Sequence, residues 1–124
     1  MIIKPIIFLL TFNSFVFADD LVIKSLRAFN SINQTSAPVI TYGEKLTIEF
    51  DIASDLIPDL VVVFRFCDQD WKPVKNIFLD NTGFNTAYNL WFESVPVTNS
   101  GADYFFSRSF PDDDVTFPYS GKWK

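Results

Sequence analysis

Histidine does not occur in this chain, and cysteine and methionine occur once each. The missing imidazole removes the usual general base, the commonest metal ligand and the triads that depend on it. A lone thiol, Cys67, cannot close an internal disulfide, so stability has to come from packing. Basic residues are scarce too: ten Lys and Arg stand against 15 Asp and Glu. With neither a basic excess nor a basic cluster, nucleic acid is a poor partner, because phosphate binding needs both. No apolar run reaches the roughly twenty residues that a spanning helix requires. Aromatic residues are what abound, with 15 Phe, 4 Tyr and 3 Trp. Flat rings pack well on a pleated surface, so the composition favours sheets.

The first eighteen residues read as a targeting segment. Met1 to Lys4 gives a short positive end, Pro5 to Phe17 is almost wholly apolar, and Ala18 supplies the small residue that a signal peptidase prefers before Asp19. The expectation is a secretory signal over residues 1–18 that stands outside the fold, with an uncleaved anchor as the alternative. No cysteine lies near residue 18 to accept a lipid. The 106 residues from Asp19 onward are enough for one domain, 19–124, with a core of its own.

Within that domain, Leu21 to Phe29 reads as a strand, Asn30 to Pro38 as a loop and Val39 to Tyr42 as a short extended piece. Lys45 to Ile52 gives the cleanest pattern, with Leu46, Ile48, Phe50 and Ile52 alternating against Lys45, Thr47, Glu49 and Asp51. Period two means one face on a core and one in water. Leu60 to Cys67 lacks alternation at its start, as a central strand covered on both faces would. Val74 to Leu79 is a weak strand candidate, and Asp80-Asn81-Thr82-Gly83 a turn. Thr86 to Ser94 alternates again, Tyr88, Leu90 and Phe92 against Asn89, Trp91 and Glu93. Ala102 to Phe110 follows, with Tyr104, Phe106 and Phe110 on one side. Six to eight short strands without a helical period predict an all-β, immunoglobulin-like antiparallel sandwich, with a closed barrel as the second choice. Tyr119 to Lys124 reads as a turn feeding a new strand, so the sandwich is expected to be incomplete at its C-terminal end.

The stretch Phe64-Arg65-Phe66-Cys67-Asp68-Gln69-Asp70-Trp71-Lys72-Pro73 looks like the pivot of the domain. Asp68 and Asp70 suit a turn, and Pro73 cannot donate to a strand ladder. Trp71, with roughly 150–250 Å² of coverable surface, is expected to anchor that corner by about 4–6 kcal/mol at most. Sharper chemistries can be set beside bland ones. Asp68 and Asp70 with Asp112 to Asp114 could hold calcium, or two of them could act as glycosidase acid and base, against the plainer reading of solvated turn residues. Trp91, Trp123 and Tyr88 could form a sugar platform, against core packing. Cys67, ending an apolar strand beside two aspartates, reads as a buried structural thiol. Asn33-Gln34-Thr35 fits a glycosylation acceptor and otherwise is loop.

Several motifs in order carry a family likeness: Pro38-Val39-Ile40, Lys45 to Asp51, Cys67-Asp68-Gln69-Asp70-Trp71-Lys72-Pro73, Ser109 to Asp114, and Ser120-Gly121. Over about Leu21 to Lys124 the chain resembles the amino-terminal domain of the type IX secretion system plug protein of the Bacteroidota and their relatives. The positions matching the family pattern are Pro38, Phe50, Asp51, Cys67, Asp70, Trp71, Pro111, Ser120 and Gly121. Where the family commonly has a histidine before the cysteine this chain has Phe66, so no role for that histidine carries over. The resemblance implies a longer periplasmic protein without enzymatic activity or cofactor, whose partner is the outer-membrane translocon that it plugs when idle.

Overall fold

A computed structural model describes residues 5–10, 21–78, 82–96 and 101–124. The chain is mostly β. It forms β1 (Ile6–Phe8), β2 (Val22–Asn30), β3 (Val39–Ile40), β4 (Leu46–Ala53), β5 (Val62–Val63), β6 (Phe66–Cys67), one helical turn α1 (Thr82–Asn85), β7 (Thr86–Ala87), β8 (Glu93–Ser94), β9 (Tyr104–Phe110) and β10 (Gly121–Trp123).

The alternating segment Lys45 to Ile52 becomes β4, the hub of a sheet ordered β2-β4-β9-β8. Leu46, Ile48, Phe50 and Ile52 all face inward and are buried, as period two requires. β9 lies antiparallel to β4 and delivers Phe106 opposite Phe50, where the two rings stack at 4.8 Å. On the opposite face Thr47 is also buried, because its hydroxyl bonds those of Ser31 (2.6 Å) and Ser109 (2.8 Å). That small polar ladder satisfies a group that would otherwise be costly to bury.

A second sheet has the order β3-β1-β10-β6, and β5 pairs with β7 in a two-stranded third. All pairings are antiparallel except β1 with β10, which run parallel. One apolar cluster joins the two larger sheets: Ile6, Phe8, Ile40 and Trp123 from one meet the buried face of β4 and β9 from the other. Phe64 and Phe117, from the connections, fill the space between with edge-on ring contacts at 4.9–5.9 Å.

Three expectations from the sequence need correction, and one strand arises where none was expected. The unexpected strand is β1: the apolar β-prone triplet Ile6–Phe8 fills the gap between β3 and β10, with Ile6 and Phe8 buried. The rest of the segment 1–18, at 1–4 and 11–18, lies outside the described residues, as do Leu79, Asp80 and Asn81. The run Leu60 to Cys67 is not one covered central strand. It splits into β5 and β6, which join different sheets, and leaves Val61 and Val63 exposed. The buried Phe64 between them, its N–H donating to Asn85 O, forces the change of sheet. Thr86 to Ser94 is likewise not one strand but two short ones, β7 and β8, in different sheets, and between them Asn89 takes a left-handed conformation at φ 53°. Finally, Val74 to Phe78 forms no strand. Pro73 makes a single bridge to Cys67, and Ile77 and Phe78 stand in solvent.

Candidate functional site

The family-like residues fall into four places, one of them Pro111, which follows β9 and whose carbonyl accepts a hydrogen bond from the Lys45 ammonium at 3.0 Å. Pro38 leads into β3, and its carbonyl accepts the Phe8 N–H at 3.1 Å. Phe50 and Asp51 sit together on β4, one turned into the core and the other away from it. Cys67, Asp70, Trp71, Ser120 and Gly121 are brought together, because β6 pairs antiparallel with β10 in the register Cys67↔Lys122 and Phe66↔Trp123.

The corner is built from its aspartate. The Asp68 side chain accepts the N–H groups of Asp70 (2.9 Å) and Lys72 (3.0 Å), while the Asp68 N–H donates to Lys72 O and the Trp71 N–H to Asp68 O. This pins a tight loop and puts Trp71 at φ 62°, a conformation few bulky residues adopt. Val74 N–H then returns to Phe66 O, closing the corner onto β6.

Trp71 is not the indole that pins the core. It is half-buried, with the Lys122 ammonium 4.9 Å from its ring centroid and the Lys124 ammonium bonded to its carbonyl at 3.1 Å. Lys122 also donates to Gln69 O at 2.6 Å. The buried indole is Trp123, wholly excluded from solvent, its N–H donating to Tyr119 O at 3.0 Å and its ring edge-on to Phe66 and Phe117. A penultimate tryptophan flanked by lysines carries no strand periodicity that would have revealed this. Gly121, at φ 141°, passes so close to Phe66 that a Cβ there would lie 2.9 Å from the ring. Only glycine lets β10 approach β6 with that ring in place.

Chemically the corner is quiet. Burial pushes the Cys67 thiol up and outweighs the opposing pull of the Lys124 charge, with the Asp68 carboxylate adding to the rise, so it stays protonated at neutral pH. A separate charge cluster lies at the end of β9 and in the loop that follows it. Arg108 bridges Asp112 (2.6 Å) and Asp114 (2.8 Å), and the Asp112 side chain also accepts the N–H groups of Asp114 and Val115. Burial works against the charge on Asp112, but these backbone donors and the guanidinium outweigh it and hold the carboxyl below its ordinary range. These aspartates are therefore engaged with Arg108 and backbone, and among the described residues no group of three or more metal-ligating side chains assembles.

The three aromatic residues that could have formed a sugar platform do not meet. Trp123 is in the core, whereas Tyr88 and the fully displayed Trp91 border an open cavity of about 380 Å³ together with Asn89, Ser107, Arg108 and Asp114. Compared with protein-family models, curated proteins and solved structures, the chain matches none.

Proposed function

We propose that the chain is the leading, immunoglobulin-like sandwich domain of a non-enzymatic periplasmic component of the type IX secretion system, exported by residues 1–18, which closes the outer-membrane translocon while no cargo passes. The observation that carries this reading is the convergence of the family-like residues. Cys67, Asp70 and Trp71, neighbours in one short run, meet the sequence-distant Gly121 at one corner, where Asp68 shapes the loop and Gly121 admits the last strand. A stopper needs a fixed shape and no reaction centre. The protonated thiol and the fully engaged Asp68 and Asp112 are consistent with that. Purifying the tagged full-length protein from outer membranes of a bacterium that encodes it tests the reading. Co-purification with the translocon supports it, and recovery without any outer-membrane channel refutes it.

A second reading rests on the Tyr88–Trp91 cavity. An exposed indole beside Asn89, Arg108 and Asp114 offers a stacking face and hydrogen-bonding groups, the ingredients of a carbohydrate-binding module. Retention on insoluble glycans that Trp91→Ala abolishes would favour this reading over the plug.

A further inference from the structure

β1 occupies a slot rather than an edge. Its backbone is held on both sides: the Phe8 N–H donates to Pro38 O beside β3, and the Leu9 N–H to Trp123 O of β10 at 2.8 Å. Ile6 lies opposite Gly121 and Phe8 opposite Trp123, and both side chains enter the core. The Phe8 ring meets Phe117 at 5.0 Å and Phe64 at 5.9 Å. Past Phe8 the slot opens into a cavity of about 540 Å³ walled mainly by leucine, isoleucine and valine, among them Ile23, Leu26 and Val61 from outside the segment 1–18.

The strand that fills this slot comes from the same segment that carries the marks of an export signal. Once residues 1–18 are removed, β3 and β10 each face a missing neighbour across an apolar trough floored by Ile40, Phe64, Phe117 and Trp123. Collapse would close it only if β3 moved by about 5 Å, one strand spacing. The buried Asn30 opposes that movement. Its side-chain amide donates to Val39 O at 3.1 Å and to the Glu44 carboxylate at 2.9 Å, tethering β3 to the end of β2.

We propose that the exported chain is a strand acceptor: the slot between β3 and β10 takes an extended segment of a partner protein, running parallel to β10. This rests on the export reading above. The segment carries an aliphatic side chain opposite Gly121 and an aromatic or large aliphatic one opposite Trp123, the pattern that β1 shows. Main-chain bonds to both neighbours supply affinity, and the two inward positions supply specificity. A segment of the same chain would need a crossover of about a dozen or more residues to run parallel to β10, whereas a separate protein needs none, which favours the partner.

The full chain, produced with residues 1–18 in an exporting bacterium, provides the test. Its N-terminus is read by intact mass, and a fluorescein-labelled peptide spanning Pro5–Leu10, flanked by lysines for solubility, is titrated by anisotropy. The expected result is loss of residues 1–18 and saturable binding, weakened about 100-fold or more in a peptide with Phe8→Asp, since that carboxylate would be buried among rings. A chain that keeps its N-terminal segment refutes the export reading and this proposal with it. A processed chain that ignores the peptide, or binds the Phe8→Asp form equally well, overturns the proposal and leaves export standing.

Discussion

The three tryptophans occupy three environments, and replacing each by alanine separates the forces that hold the fold. Trp123 is wholly buried, donates a hydrogen bond to Tyr119 O and touches two other rings edge-on. Removing a buried Trp side chain costs about 3–5 kcal/mol when the void does not collapse. Tyr119 is an exposed residue whose carbonyl can turn to water, so the lost hydrogen bond, about 1 kcal/mol, stays within that range. Against the 5–15 kcal/mol of a typical domain, Trp123→Ala is therefore expected to remove about 3–5 kcal/mol, a large share of the total. Trp71→Ala loses a half-buried ring and a cation–π contact with Lys122, on the order of 1 kcal/mol. Trp91 is 89% exposed, and its loss should change stability by less than about 0.5 kcal/mol. Urea unfolding followed by far-ultraviolet circular dichroism gives all three values. Equal costs at Trp123 and Trp91, or a larger cost at Trp71 than at Trp123, would refute the placement of the core.

Gly121→Ala should destabilise by about 1–3 kcal/mol, because it combines a left-handed backbone with a clash against Phe66. Gly43→Ala, at φ 91° in open space, meets the backbone penalty alone, so thermal melts should rank Gly121→Ala as the worse. Acid should weaken the chain through Asp112. Its folded carboxyl titrates below the ordinary value of 3.8, so its contribution is present above that pH and lost as the pH falls through the lower folded value. Asp112→Asn should flatten the stability profile in that acidic window while changing little between two buffers well above it. A thiol reagent should modify native Cys67 slowly and the urea-unfolded chain quickly, since burial both shields the sulfur and keeps it protonated. Fast reaction of the native protein would contradict its position in β6.

Where one face of a strand meets the core and the other meets water, the residues announce it. β4 could be read almost residue by residue, and β9 nearly so, because antiparallel neighbours on a half-covered sheet impose period two. The corner was legible as a turn from Asp68 and Pro73, yet not its energetics. Which of Trp71 and Trp123 enters the core depends on the register of β6 with β10, a pairing across more than fifty positions that no local pattern encodes. The same limit hid the division of Leu60 to Cys67, where Phe64 answers to a distant partner, Asn85, rather than to its neighbours. Ile6–Phe8 shows a different ambiguity. A short apolar, β-prone run satisfies the rules for a signal segment and for a buried strand alike, and its place at the start of the chain, the positive Lys4 before it and Ala18 after it favoured the first.

If the chain stops an idle export pore, its loss should leave the outer membrane leaky. The decisive measurement is uptake of a large hydrophilic antibiotic by cells from which the gene encoding this chain has been deleted, with and without re-expression. The plug account predicts sensitivity in the deletion strain that re-expression reverses and that disappears when the translocon itself is also removed. Unchanged permeability on deletion, or leakage that persists without the translocon, would contradict it.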